Sequence, residues 1–465
     1  MNKMSKMKKF KNLKVVVLVF GLISLGIQGI SQSEIWKLKD CIDYALDNNI
    51  QIKQSELSSE SNKANLLQSK LNLLPSVNGS VSHSYGWGRS VDMATYEYTN
   101  QQTTQDYFSL NGNVTIFNGL QNLNQIKKNQ YEYLASKFDS DKMRDDISLM
   151  IAAAYLQILF SHELVATSSE SVEITKLQID RTRKMVEAGT LAKGSLLDVQ
   201  SQGAAEELNL INAKNQLNLA YLDLQQILDL EASDNFVIYK PQLKIKKEPE
   251  IIPSMQIYRY ALTNLPEIKS AEYRLKSSER SLAIAKGSRS PSLSLRAGWG
   301  TNYSDQIAVF DPTDPNFGDV IPFGEQFNDH QNRSLALSLS IPIFNGYQVS
   351  TYVSQARMGI ENSQYNLQLQ KNQVRKNVEQ AFADAVAAYK SYNATKKSLL
   401  SFSEAFMYME KKFNVGMVNS IDYNVAKQQL TKAESELLSA KYNYIFKAKI
   451  LDFYMSKPLS IDEYK

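Results

Sequence analysis

Cysteine and histidine, on which many metal and nucleophilic sites depend, are nearly missing from this sequence of 465 residues. Its one cysteine, Cys41, cannot form an intrachain disulfide. The three histidines, His83, His162 and His330, are far apart in the chain and have no metal-ligand spacing. A phosphate-binding glycine loop, a zinc signature and a nucleophile motif are also missing. The sequence therefore predicts no enzyme, no metal site and no cofactor.

A large excess of one charge is missing too, and the small basic excess is confined to the N-terminus. The formal charge is +4, from 52 basic and 48 acidic side chains. Six lysines are the only charged residues before Gln32; an apolar run over 15–27 follows them, and the small Gly29 and Ser31 suit cleavage. We therefore predict a signal peptide over residues 1–31. Its removal lowers the charge from +4 to −2, so nothing in the charge supports a nucleic-acid partner.

Long apolar runs are missing after that segment, since no later stretch reaches 18 apolar residues. A transmembrane helix needs about 20 such residues, so none is predicted in the mature chain. Cys41 follows Leu38, Lys39 and Asp40 and does not directly follow the apolar run behind small residues. We expect a partly buried structural thiol and not an acylation site.

The chain contains two copies of one pattern. Tyr44–Asn48 (YALDN) recurs 216 positions later as Tyr260–Asn264 (YALTN), and Ile116–Gly119 (IFNG) recurs 227 positions later as Ile343–Gly346. The difference of 11 residues falls around Asp311–Pro315, where prolines and aspartates are typical of a plain surface loop. We predict a first repeat over residues 32–230, a linker over 231–253 and a second repeat over 254–465.

Apolar residues spaced by seven indicate long helices that keep one seam against a partner helix. The series in the first repeat is Ile151, Ile158, Val165, Val172, Ile179 and Val186, and its returning helix repeats the spacing at Leu210, Leu217 and Leu224. Neither proline nor glycine interrupts the chain between Gly119 and Gly189, which predicts a helix about 100 Å long at 1.5 Å per residue. We predict long helices over 119–187 and 346–412 and returning helices over 195–230 and 420–455.

Alternating apolar and polar residues predict two β-hairpins, over 76–117 and 291–344. Each strand spans about ten residues with one apolar and one polar face, as transmembrane β-strands do. Tyr85, Trp87 and Trp299 lie toward the hairpin loops, where an aromatic belt is expected. Strands of a soluble sandwich alternate in the same way, but the helical rods attached to the strand ends favour the membrane.

Four strands leave two open edges, which lipid cannot satisfy, so the sheet must close with other copies of the chain. Two copies would give eight strands and a filled interior, whereas three would give twelve strands and a wider lumen. The helical rods leave the same end of the sheet and would continue that lumen as a tube.

The duplicated order of helix, hairpin, long helix, glycine turn and returning helix resembles the TolC-type outer membrane efflux channel family. The paired IFNG elements and Gly416–Asp422 (GMVNSID) carry this resemblance, which covers nearly all of the mature chain. It implies a mainly α fold with a transmembrane β-barrel portion: a homotrimer with a twelve-stranded outer membrane barrel, four strands per chain, and a periplasmic α-barrel of duplicated coiled-coil-like helices. It also implies contact with outer membrane lipid and docking of a periplasmic adaptor joined to an inner membrane transporter of RND or ABC type.

The resemblance places adaptor docking and the aperture at the two glycine turns. In the second repeat Gly416 and Asp422 match the glycine and aspartate of the family, six residues apart. In the first repeat Gly189 is followed by Gly194 and then by Asp198, nine residues away, which predicts a turn longer by three residues. Each aspartate is expected either to cap the returning helix or to act at the aperture or adaptor contact.

Two constriction positions depart from the family. Well-known members close the tip with a tyrosine three residues before the second glycine and an arginine two residues after it. This chain has Phe413 and Val418 at those positions. That polar lock is therefore absent, and a closed state requires other contacts.

The resulting hypothesis is a passive exit duct in the outer membrane that serves a tripartite efflux or type I secretion system. The alternative is a secreted structural coiled-coil surface protein with soluble strands. The transported substrate is not predicted.

Overall fold

The computed structural model describes residues 35–91, 97–231, 236–241, 243, 245, 252–311 and 313–459. The predicted signal peptide and part of the predicted linker lie outside these residues. The helices are α1 (Leu38–Asn48), α2 (Ile50–Leu71), α3 (Gln121–Glu187), α4 (Lys193–Ile227), α5 (Ser254–Asn264), α6 (Pro266–Gly287), α7 (Phe323–Asp329), α8 (Gln348–Asn414) and α9 (Ser420–Tyr454). The strands are β1 (Ile35–Trp36), β2 (Ser76–Val91), β3 (Tyr98–Asn118), β4 (Val237–Ile238), β5 (Ser292–Ser304) and β6 (Asn332–Ser340).

Eight of the helices pair by length, one from each repeat. α1 and α5 have 11 residues, α2 and α6 have 22, α3 and α8 have 67, and α4 and α9 have 35. Local signals set their starts: the Asn49 side chain accepts hydrogen bonds from two backbone N–H groups and caps α2, and Pro266 is the first residue of α6. α3 begins at 121 because Gly119 and Leu120 have positive φ and turn the chain after the strand.

The long helices pack side by side in a layer. Near the sheet, α3 packs between α2 and α6, and α6 packs in turn against α8. Farther from the sheet, α3 and α4 form one hairpin and α8 and α9 another, and α9 contacts both helices of the first hairpin. Near the sheet, α2 and α8 therefore lie at opposite edges of the layer.

β2, β3, β5 and β6 form one antiparallel sheet in that order, so β2 and β6 are its edges. The register places Leu110 opposite Trp299 and Leu295 opposite Leu337, which gathers apolar side chains on one face. The other face is polar, and on it the hydroxyl oxygens of Ser80 and Ser109 are 2.7 Å apart. Since α2 precedes β2 and α8 follows β6, each edge of the sheet continues into an edge of the helical layer.

The strands differ from the predicted ten residues. β2 has 16 residues, β3 21, β5 13 and β6 nine. β2 and β3 are long because their pairing continues beyond Trp87 as far as Val91 opposite Tyr98. That extension is largely polar, so its backbone ladder can continue in water above the apolar part of the sheet.

The main core lies midway along the long helices. Buried side chains from α1, α3, α4 and β4 meet there, including Cys41, Ile151, Leu224 and Ile238. The Tyr155 hydroxyl donates a hydrogen bond to a backbone carbonyl beyond β4, at 2.6 Å. Burial and the nearby Asp40 raise the pKa of the Cys41 thiol to about 12, so it stays protonated.

α3 contains an 18-residue stretch that is apolar enough to cross a membrane, judged by length and composition alone. The sequence pattern itself predicts no transmembrane helix in the mature chain. The apolar middle of α3, with Ile151, Tyr155 and Ile158, is buried in the main core. Packing against α1 and α4 accounts for part of this composition, since 39% of the stretch is buried within the chain.

The seven-residue seam of α3 is only partly buried. Ile151, Ile158 and Val172 are buried, whereas Val165, Ile179 and Val186 are half-buried. The small side chains Ser161, Thr175 and Thr182 beside the seam are buried instead, because small residues let neighbouring helices approach closely. The second repeat has the same spacing in α8, where Val378, Ala385, Phe406 and Phe413 are buried and Tyr392 and Leu399 are half-buried.

Candidate functional site

The two helix turns farthest from the sheet have the same geometry. Gly189 and Gly416 have φ angles of 77° and 74°, in the left-handed region that favours glycine. In both turns the residue after the glycine donates its N–H to the carbonyl oxygen five residues before it, at 2.9 Å. Both are therefore Schellman helix ends, which satisfy carbonyl groups that the helix leaves unpaired.

The prediction of a longer first turn is wrong. Five residues separate the helices in both turns, 188–192 and 415–419. The register that aligns the two glycines places Ser195, and not Asp198, at the position of Asp422. The distance from glycine to aspartate differs between the repeats because Asp198 lies farther into its returning helix than Asp422 does. This distance therefore does not measure the length of the turn.

Neither aspartate caps its helix. Asn419 caps α9, because its side-chain oxygen accepts the N–H of Asp422 at 2.8 Å. Asp422 lies in the first turn of α9, where the helix dipole favours a carboxylate. Asp198 lies one turn into α4 and accepts a hydrogen bond from the Ser420 hydroxyl at 2.9 Å. Gly194 is in the first turn of α4, with open space around it.

Two side-chain hydrogen bonds join the helical hairpins at this end. One is the bond from Ser420, at the start of α9, to Asp198 of α4. The other runs from Gln428 Nε2 to Gln202 Oε1 at 2.8 Å, about two turns farther along α9 and one turn farther along α4. Ser420 is buried, although it is the first residue of its helix. The polar contacts at the tip therefore bridge the two repeats.

Phe413 and Val418 belong to an apolar cluster at the base of the second turn. The ring of Phe413 stacks on Tyr423 with centroids 4.8 Å apart, and the ring of Phe406 also packs against Tyr423, at 5.4 Å. Val418 packs against the same cluster. Burial, with the nearby carboxylates of Glu410 and Glu206, raises the pKa of Tyr423 to about 12, so its hydroxyl remains neutral.

A buried carboxylate in α4 was missed at the level of sequence. Glu206 accepts hydrogen bonds from the hydroxyls of Ser171 and Thr175, at 2.6 and 3.0 Å, and from the Gln202 amide at 3.0 Å. The buried side of α4 is the series Val199, Glu206, Ala213 and Ala220, spaced by seven, and not the predicted leucine series, of which Leu224 alone is buried. The seven-residue spacing is present in the sequence. A search for large apolar residues overlooks it, because three of its four members are alanine or glutamate.

The three predicted belt residues have different surroundings. Tyr85 and Trp87 are exposed on β2, with ring centroids 6.1 Å apart. Trp299 of β5 instead packs against Phe327 of α7, at 6.1 Å. The loop between β5 and β6 therefore covers part of the sheet where the sequence predicts an aromatic belt.

The histidines do not meet. His83 contacts Asp106 on the neighbouring strand, and His330 contacts a backbone oxygen at 3.0 Å. Burial and the ammonium group of Lys240 lower the pKa of His162 to about 4, so this histidine is neutral at physiological pH. Among the described residues, no three histidine, cysteine, aspartate or glutamate side chains are placed to hold a metal ion.

Comparison with known proteins agrees with this geometry. Residues 41–229 and 257–453, one segment from each repeat, match the family model described as outer membrane efflux protein. The outer membrane protein TolC of Escherichia coli strain K12 is 24% identical over 452 residues, which cover 93% of this chain and 84% of TolC.

Solved outer membrane channels share the fold. VceC, an outer membrane protein of Vibrio cholerae, superposes with a TM-score of 0.74 at 14% identity, over 91% of this chain and 97% of VceC. The open state of the MtrE outer membrane channel of Neisseria gonorrhoeae gives a TM-score of 0.72 at 17% identity, over 91% and 90% of the two chains. The fold is thus a helical barrel segment joined to a β-barrel segment.

Proposed function

Since this chain belongs to the outer membrane efflux protein family and is an outer membrane efflux channel protein, we propose that three copies close into one passive duct. The observation that carries the proposal is the pair of open edges, β2 and β6. Unpaired backbone groups at these edges cannot be satisfied in lipid. Pairing β6 of each copy with β2 of the next gives twelve strands with the apolar face outward and the polar face toward a lumen.

The helical layer supports the same closure. α2 leads into β2 and α8 leaves β6, so closing the barrel brings α8 of one copy beside α2 of the next. Both helices expose large apolar side chains in the single chain: Leu57 and Leu67 on α2, and Tyr365 and Leu369 on α8. Contact with a neighbouring copy would remove such side chains from water, which stabilises the assembly.

The two glycine turns are the proposed docking end for the periplasmic adaptor. They lie at the end of the helices farthest from the membrane, and the second turn exposes Val415 and Met417 on either side of Gly416. These two apolar side chains suit a protein partner. Asp422 lies in the first turn of α9, and Asp198 lies one turn into α4. Transport through the duct would be driven by an inner membrane transporter of RND or ABC type, as no energy-coupling motif occurs in this sequence.

The Ser420–Asp198 hydrogen bond is the proposed substitute for the missing polar lock. It joins the first residue of α9 to the other hairpin, so opening the tip by moving one hairpin away from the other must break it. In a trimer the bond occurs three times.

Complementation in a strain deleted for its own channel tests the function. The full-length protein should restore efflux of a fluorescent dye and appear in the outer membrane as a heat-modifiable trimer that needs detergent for extraction. Release of the protein into buffer, without restored efflux, would support the surface-filament alternative instead. The matched control is the same chain with the β2–β3 hairpin deleted, which should restore no efflux.

A further inference from the structure

The loop between β5 and β6, of which the structure describes residues 305–311 and 313–331, contains the predicted surface turn around Asp311–Pro315 and is folded on either side of it. The Val309 N–H donates to the Asp319 carbonyl at 2.9 Å, and a short antiparallel bridge lies beside this bond. Gln326 of α7 is fully buried, and its side chain bonds both the N–H and the carbonyl of Ser304, at 2.9 and 3.0 Å. These bonds anchor the loop to the end of β5.

This loop lies on the apolar face of the sheet. Phe327 packs on Trp299 at 6.1 Å and on Phe108 at 5.4 Å, and Phe323 packs on Phe108 at 5.9 Å and on Tyr303 at 5.5 Å. By strand alternation, Trp299 and Phe108 share the face that carries the leucines of β5 and β6. α7 is therefore outside the proposed barrel wall and not in its lumen.

The pairing of β5 with β6 shows where the contacts of α7 lie along the strands. The apolar series of β6 begins at Leu335 and continues through Leu337 to Leu339, and Ile341 and Ile343 repeat the alternation beyond the end of the strand. Arg333 ends the series and lies opposite Trp299. The aromatic contacts of α7 therefore lie at the outer end of the apolar band.

The loop also exposes large apolar side chains to solvent in the single chain. Phe310, Phe317, Val320 and Phe323 are each 43–51% exposed. Residues 305–331 contain no lysine or arginine, so the loop has no cation for anionic headgroups. Two of its carboxylates are used within turns, where Asp311 and Asp314 each accept a backbone N–H at 2.9 Å.

We propose that the β5–β6 loop is a collar that rests on the outer leaflet, with Phe310, Phe317, Val320 and Phe323 at the boundary between headgroups and acyl chains. The partner is lipid, because the loop continues the lipid-facing side of the sheet at its outer end and offers aromatic and aliphatic groups without cations. Aromatic side chains favour this boundary in membrane proteins. The collar rests on the proposed function, since it requires the sheet to be a barrel wall in lipid.

Site-specific fluorescence quenching in reconstituted trimers tests the collar. In a Cys41→Ala background, Phe317→Cys and Val320→Cys are labelled with an environment-sensitive fluorophore and placed in phosphatidylcholine vesicles. Lipids with a spin label near the headgroup, and iodide in water, are the two quenchers. Leu337→Cys on the apolar face of β6 is the lipid reference, and Val415→Cys at the tip is the water reference.

Labels at 317 and 320 should be quenched by the lipid at least half as strongly as the label at 337, and less by iodide than the label at 415. Quenching like that at 415 would overturn the collar, and so would protection from both quenchers, because another copy of the chain would then cover the loop. If the label at 337 also escapes lipid quenching, the barrel itself is refuted, which separates the two failures.

Discussion

Replacing Ser420 with alanine removes one hydrogen bond between the tip hairpins in each copy. The Ser420 hydroxyl is buried and donates to Asp198 at 2.9 Å, whereas Asp198 is exposed. A hydrogen bond to a charged group contributes about 1.5–3 kcal/mol, and solvent around Asp198 reduces this to about 1 kcal/mol. Three bonds that break in one concerted opening amount to about 3 kcal/mol, or about a 150-fold change in the ratio of open to closed channels.

Single-channel recording in planar lipid bilayers measures that ratio directly. Ser420→Ala and Asp198→Ala should each raise the open probability, and the double variant should add little, because both changes remove the same bond. Thr190→Ala is the matched control. It removes a tip hydroxyl that bonds only the Met185 carbonyl of its own hairpin, at 2.8 Å.

An open probability of Ser420→Ala equal to that of the unmodified channel would refute the assignment of the lock. An equal rise in Thr190→Ala would do the same, since the effect would then follow from general loosening of the tip. Additive effects of the two single variants would show that Ser420 and Asp198 act independently.

Three further predictions concern the tip and the helical layer. Gly416→Val should abolish dye efflux while heat-modifiable trimers still assemble, because a β-branched residue at φ 74° costs at least about 1–2 kcal/mol; Gly194→Ala, in open space, should leave efflux unchanged. Glu206→Ala should lower the stability of the trimer by about 3 kcal/mol, because the buried hydroxyls of Ser171 and Thr175 and the half-buried amide of Gln202 lose their acceptor, and Glu206→Gln should cost less. Burial and the nearby Glu267 raise the pKa of Asp145 from 3.8 to about 6. The folded protein therefore binds this proton more tightly than the unfolded chain does, and it loses stability as the pH rises from 3.8 to about 6. Asp145→Asn should therefore raise the melting temperature at pH 8, and the gain should vanish below about pH 4.

The duplication was the feature most open to sequence reasoning. The offsets of 216 and 227, read from YALDN and IFNG, relate helices of equal length in the two halves. Ala45 and Ala261 of the first motif are both fully buried, as are Ile151 and Val378 at the second offset. Helix and strand periodicities depend on nearby residues, so they remain visible in a single chain.

The contacts that close the tip could not be predicted in the same way. Ser420 and Asp198 are 222 positions apart, and their contact depends on how two hairpins pack. The prediction of a longer first turn failed for a related reason. The nine residues from Gly189 to Asp198 include residues of the helix as well as residues of the turn. The aromatic cluster under α7 also depends on tertiary packing, since Phe108 comes from β3 and Phe323 from a loop of the other repeat.

The proposal that copies close a shared barrel is tested most directly by the native mass of the detergent-solubilised protein. The open edges of β2 and β6 require other copies, and twelve strands are needed for an open lumen. We therefore expect one species of three chains, which separates into single chains only on heating. A stable monomer or dimer in the outer membrane, with β2 and β6 unpaired to any other copy, would contradict the account.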